Sequence, residues 1–419
     1  MNHTPRTRTV VSCVLLVTAL GAGTTACGPD GDLLSATPYD AAGLISFSGP
    51  TGVGKRADPD KPLEVTVKDE GRITDVTAQD STGRHVAGEL SADGSRWHST
   101  TPLAASAHYT VTVSTEDDDG APGRKVLSFD TTQPAAKKQL GVTFGPDAGE
   151  YGVGQIITAQ LSEDVKDKTQ RAVVERALRV DSVPAVPGSW YWVSDKELHY
   201  RPKDYWPAHA TIQVHSNLEG VKIGDRLWGG RAKPVKLTTG DRVEAVTDAA
   251  AHELTVFKDG AVINTIPVTT GKPGYETRNG VKVVLEKQYF VRMRGITVGI
   301  AEGSRDSYDL PVYYATRVTW SGEYVHAAPW SVGSQGYANV SHGCTGMSTS
   351  NARWFFDTVH EGDIVRVVHS NGQQMEPFGN GFGDWNLSWK KWRTGSALTG
   401  TPANGQSASD AVRLQPTAV

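Results

Sequence analysis

At 419 residues, 38% of them hydrophobic and 21% charged, the chain has apolar material for ordinary packed cores and a length that divides into roughly three domains. A formal net charge of −4 with no basic block argues against nucleic acid as a partner, and three cysteines are too few for a disulfide scaffold or repeated zinc modules. Forty-five glycines and 22 prolines favour a turn-rich, mainly β chain over helical bundles.

In chain order, Arg6 and Arg8 precede an apolar stretch from Val10 to Leu20, which reads as a secretory signal too short to span a bilayer. Thr24-Thr25-Ala26-Cys27 then resembles a bacterial lipobox, with Thr24 where Leu is usual. Residues 1–27 are therefore expected to be a lipoprotein signal peptide ending at a lipidated Cys27, and 28–40 a small, polar tether. Cleavage before Cys27 removes Cys13 and leaves Cys344 as the lone free thiol of an exported chain.

Residues 41–133 alternate with period 2, as in Leu63-Glu64-Val65-Thr66-Val67 and Tyr109-Thr110-Val111-Thr112-Val113. Shifted by 101 positions, Trp97-His98 falls on Leu198-His199, and Val111 and Val113 fall on Ile212 and Val214. A repeat of about 100 residues made of short alternating strands predicts two tandem immunoglobulin-like β-sandwiches, 41–133 and 134–241, without an intersheet disulfide. The acidic run Glu116 to Gly120 lacks the ligand spacing of a calcium loop and reads as a solvated turn. Trp190-Tyr191-Trp192, Tyr200, Tyr205 and Trp206 read as sandwich core and edge, with a sugar-stacking platform as the other reading.

The pattern changes near Asp241. Two strands joined at Asp259-Gly260 predict a hairpin, further strands follow over 281–285, 289–293 and 364–368, and one helix is expected from Ser350 to Val359. Residues 242–370 thus form a mostly β module with short helices. In 371–395, Trp385, Trp389 and Trp392 fall at i, i+4 and i+7, the stripe of a short helix clamped onto that module. The Ser/Thr/Ala/Gly/Pro-rich stretch 396–419 reads as a disordered tail.

Chemistry concentrates between His326 and Cys344. A cysteine attacks as thiolate and needs a base or a cation beside it. His326 lies 18 positions before Cys344, and Ser341-His342-Gly343-Cys344 puts a second imidazole two residues away. Gly343 allows close backbone approach, so amides around Cys344 are candidates for holding an oxyanion. A His/His/Cys zinc site and a core histidine at 326 are the competing readings.

With its His, intervening loop and Ser-His-Gly-Cys, the stretch from about Val243 to Arg393 resembles the L,D-transpeptidases of peptidoglycan synthesis. Two preceding immunoglobulin-like domains and the segment Gly383-Asp384-Trp385-Asn386-Leu387-Ser388-Trp389 match actinobacterial members. The resemblance implies Cys344 as nucleophile and His326 as base, oriented by the main-chain carbonyl of Ala327. It gives Ser341, His342 and Gly343 supporting roles, and Tyr308, Met293 and Trp330 places in a substrate pocket under a lid from Phe290 to Tyr314. Gly346 departs from the family, which often has Asn there. The implied activity forms 3→3 cross-links between stem peptides at the outer face of the cell membrane, facing the cell wall, and needs no metal or cofactor. The implied covalent inhibitors are carbapenem β-lactams. The alternatives are an L,D-carboxypeptidase that hydrolyses the same acyl-enzyme and an inert wall-binding lipoprotein. The sandwiches would serve as a spacer between lipid and catalyst.

Overall fold

In strand His108–Glu116 the alternating side chains Tyr109, Val111, Val113 and Thr115 are buried and their neighbours face outward, the pattern of a sheet wetted on one side. The computed structural model describes residues 37–50, 55–68, 71–133 and 138–399. The signal segment, Cys27, most of the tether and all but the first residues of the tail lie outside them.

The two sandwiches are mainly β, and the main paths of their two principal sheets repeat one another. In the first, one sheet runs Ile45–Phe47, Glu64–Val67, Arg96–Ser99, Gly88–Leu90, and its counterpart in the second runs Val142–Gly145, Ile157–Leu161, Glu197–Pro202, Gly188–Trp192. The facing sheets, built on His108–Glu116 and Thr211–Ser216, correspond in the same way. The offset of 101 is therefore structural: Trp97 and Leu198 occupy equivalent strands, as do Val111/Val113 and Ile212/Val214, and all six are buried. Trp190 and Trp192 belong to the second core, while Tyr191 is covered by Phe378 and Trp392. The segment between the sheets of the second sandwich holds an unforeseen helix, Lys168–Ala177, capped by Asp167 accepting from the Gln170 amide.

The remaining module packs two sheets face to face. One orders Ala261–Pro267, Glu253–Lys258, Val243–Asp248, Ile364–Val368 and Gly280–Val283. The other orders Glu286–Arg294, Asp309–Arg317, Tyr324–Ala327 and Thr345–Met347. The expected hairpin turns at Asp259 and Gly260, both at positive φ (50° and 83°), as a two-residue type I′ loop requires. Helix Thr349–Thr358, capped by Ser348, buries Ala352 and Phe355 against the second sheet.

The tryptophan segment departs from expectation. It is two pieces, a 3₁₀ turn Asp384–Asn386 and a helix Trp389–Arg393, because Ser388 stops and restarts the chain as an N-cap to Lys391. It also reaches beyond the two-sheet module. Trp385 Nε1 donates to Gly154 O (2.8 Å) and Trp392 Nε1 to Ser189 O (2.9 Å), both in the second sandwich. Ser396 and Ala397, expected to begin the tail, are instead held by the buried carboxylate of Glu175.

Candidate active site

Parallel pairing of Tyr324–Ala327 with Thr345–Met347 sets His326 opposite Gly346. Strand positions two apart share a face, so His326 lies on the Tyr324 side of the sheet, and Cys344, in the bend just before the strand, packs with Tyr324 on that side. His326 is buried, and its Nδ1 lies 2.8 Å from the carbonyl of Ala327. A carbonyl only accepts, so Nδ1 carries the proton and Nε2 keeps its lone pair.

The loop carrying the thiol is held from both sides. Ser341 Oγ donates to Cys344 O (2.6 Å) and accepts from the Gly343 amide (3.1 Å), while Thr277 Oγ1 donates to Gly343 O (2.8 Å). Gly343 sits at φ 118°, a conformation glycine alone adopts without strain. The Gly343 N–H is engaged by Ser341, and the glycine makes the turn before Cys344. The Cys344 thiol is half-buried and donates to Gly322 O at 3.5 Å.

The hairpin of Glu286–Arg294 and Asp309–Arg317 packs on the thiol, and it contains and exceeds the expected lid of Phe290 to Tyr314. Its inner side chains Val291, Met293 and Leu310 pack with Cys344 around Val312 and Tyr324. Tyr308 lies against His342 (ring centroids 5.0 Å apart), and Trp330, half-exposed at the mouth, lies 6.1 Å from the His326 ring. Lys272 Nζ holds Asp306 at the lid tip (2.5 Å), and the same carboxylate stands 3.8 Å from His342 Nε2. Of the expected residues Met293 packs with Cys344, Tyr308 lies against His342, and Trp330 lies beside His326; Cys27 lies outside the described residues. Gly346 is buried in its strand, where a β-carbon would stand 2.9 Å from Ala328 Cβ and 3.2 Å from Thr269 Cγ2, so no side chain fits.

Burial dominates the electrostatics. It pushes the Cys344 thiol up to about 12; the Tyr324 amide and Lys282 oppose the rise and Glu323 adds to it. Burial also pushes the His326 imidazole below its ordinary value, against the hydrogen bond to Ala327. Thiol and imidazole are both neutral at pH 7. Burial and the Lys272 ammonium lower His342 as well, with Asp306 opposing.

Residues the sequence reading passed over are Arg278, Lys282 and Glu323, an ion cluster behind the thiol. The available signal was Lys282 itself, a charge inside the apolar strand run Val281-Lys282-Val283-Val284. Among the described residues no group of three or more His, Cys, Asp or Glu is arranged to hold a metal ion.

Residues 54–222 match the bacterial Ig domain family and residues 242–367 the L,D-transpeptidase catalytic domain family. A solved L,D-transpeptidase in complex with imipenem is 37% identical, covering 54% of this chain and 99% of its own, with a TM-score of 0.48. L,D-transpeptidase 5 of Mycobacterium tuberculosis (strain ATCC 25618 / H37Rv) is 30% identical over 410 residues, covering 95% of this chain and 88% of that protein. L,D-transpeptidase 2 of Mycobacterium tuberculosis (strain CDC 1551 / Oshkosh) is 35% identical over 408 residues, covering 94% of this chain and 96% of that protein. With identity of that extent running through the sandwiches and the catalytic module alike, this chain belongs to the L,D-transpeptidase family.

Proposed function

We propose that the chain forms 3→3 cross-links in peptidoglycan through an acyl-enzyme on Cys344. The sulphur attacks the carbonyl of the third stem residue, a diaminopimelate-type L-centre, as His326 Nε2 takes the thiol proton. The tetrahedral intermediate breaks its amide bond, and the terminal D-alanine leaves with the proton returned by His326. The side-chain amine of a second stem then attacks the thioester, loses a proton to His326 and releases the thiol. One observation carries this reading: the Nδ1–H of His326 is tied to Ala327 O, which leaves Nε2 as a base on the face shared with Cys344. Because both groups are neutral at rest, the proton moves during attack, which is general-base catalysis and not a preformed ion pair.

Ser341 and Gly343 hold the cysteine loop, His342 with Tyr308 walls the pocket, and Met293 and Trp330 cover the stem. The protein works outside the cytoplasmic membrane, anchored through a lipid on Cys27. A carbapenem presents a strained carbonyl beside a carboxylate, as a stem does, so Cys344 opens its ring to a slowly hydrolysed thioester. Incubating the protein with disaccharide-tetrapeptide tests the assignment. A cross-linked dimer with loss of one D-alanine is expected; tripeptide alone would make the enzyme a carboxypeptidase, and unchanged substrate would make the module inert.

A further inference from the structure

We infer that the Arg278–Glu323–Lys282 cluster is a positioning device for the nucleophile: through Glu323 it fixes the backbone that grips the Cys344 sulphur, with the opposed charges of Glu323 and Lys282 held in balance behind it. This rests on Cys344 being the nucleophile. Lys282 comes from the five-stranded sheet and is 1% exposed at its side chain; its Nζ donates to Glu323 Oε2, whose side chain is 8% exposed. Arg278 donates to Glu323 Oε1 through both its main-chain N–H and Nη1, each at 3.1 Å. The Glu323 amide donates to Thr319 Oγ1 (2.8 Å), so its side chain and its main chain are both anchored.

What Glu323 fixes is the sulphur's environment. The residue before it, Gly322, accepts from the thiol, and the residue after it, Tyr324, packs with Cys344. A β-carbon on Gly343 would stand 3.9 Å from Glu323 Cγ, so the carboxylate arm runs directly beneath the cysteine loop. Thr277, one residue before Arg278, holds Gly343 O. One short segment, 277–282, therefore braces both sides of the thiol. A buried ion pair adds little stability over apolar residues of equal volume, so stability alone does not account for charges here.

Two cations face two carboxylates here, since Glu376 lies 3.6 Å from Arg278 Nε near the surface, and at the sulphur Glu323 opposes the thiolate while Lys282 favours it. The other ionisable groups near the thiol are Tyr324 from the sheet, with His326 two positions on, and Tyr308 from the lid; His342 lies in the same loop, flanked by Lys272 and Asp306. One charge in a poorly solvated site moves a thiol titration by about one pH unit.

The test is the pH dependence of iodoacetamide alkylation, read by mass spectrometry on the peptide that carries Cys344, with the full-length protein in detergent. Glu323→Gln should move the alkylation midpoint down by about one unit and Lys282→Met should move it up by about as much. A purely structural role predicts lower melting temperatures with the midpoint unmoved. If Lys282→Met does not fold, Arg278→Gln at the edge of the cluster removes a positive charge and should shift the midpoint in the same upward direction. Folded Glu323→Gln and Arg278→Gln proteins whose midpoints stay within about 0.2 units of wild type would overturn the inference. Imipenem added in parallel separates the two ideas: a wild type that forms no Cys344 adduct defeats the nucleophile reading, whereas normal acylation with unmoved midpoints defeats the positioning role alone.

Discussion

At Gly346 the strand passes so close to Ala328 and Thr269 that a side chain has nowhere to go. Gly346→Asn should therefore destabilise the catalytic module by about 1–3 kcal/mol through overpacking, measured as a fall in denaturation midpoint. An unchanged midpoint would mean the site accommodates the amide. The neutral resting pair gives a second expectation. Only the unprotonated imidazole accepts the thiol proton, and burial holds His326 below the ordinary histidine value of 6.5. The acid limb of the imipenem acylation rate should then lie below pH 6.5, and a limb above that value would argue against His326 as base. Cys344→Ala should form no adduct, and His326→Ala should slow adduct formation by about 10²–10⁴-fold in intact-mass time courses.

Among elements, the tryptophan segment has the clearest energetic role. Trp392 is fully buried between Tyr191 and Phe378 and donates to Ser189 O, while Arg201 of the second sandwich lies over the rings of Trp385 and Trp392. Trp392→Ala should cost about 3–5 kcal/mol in chemical denaturation. If the segment clasped only the catalytic module, the second sandwich would be untouched by this change. The sequence announced these tryptophans but not their partner, because i, i+4, i+7 spacing describes one helix and says nothing of the surface it meets. Helix Lys168–Ala177 was hidden for a related reason: it buries only Val174 and Glu175, too little for an apolar stripe. Hairpins, capped helix and site were readable because each is local, down to the Ser341-His342-Gly343-Cys344 run. Lys282 and Glu323 were not, since they meet across 41 positions.

On the scale of the molecule, the second sandwich and the catalytic module share a buried polar joint. His199 Nδ1 lies 2.7 Å from Asp384 Oδ1 and its Nε2 lies 3.1 Å from Glu197 Oε1. Burial lowers its affinity for a proton, but the two carboxylates prevail and raise its pKa from 6.5 to about 9. A folded-state value above the unfolded one stabilises fully below pH 6.5, and the benefit disappears as pH rises to about 9. The stability gap between wild type and His199→Gln should accordingly narrow from pH 6 to pH 9, and a gap constant with pH would refute the linkage. The joint also revises the spacer idea. Among the described residues the first sandwich meets the second through few polar contacts, Arg84 to Asn217 O and Glu219 O, Lys222 to Asp60 and Ala105 to Gly220 O. Deleting 41–133 should spare turnover of soluble substrate, whereas extending the deletion to 240 should lower the melting temperature of what remains; equal melting temperatures would show the joint to be dispensable. The clasp at Glu175 has one more consequence, in the order of synthesis. Its partner Ala397 emerges from the ribosome 222 residues later, so the second sandwich cannot finish its own packing until almost the entire chain is made. A premature stop or a protease nick near Trp392 would thus injure a domain that had been translated long before the break.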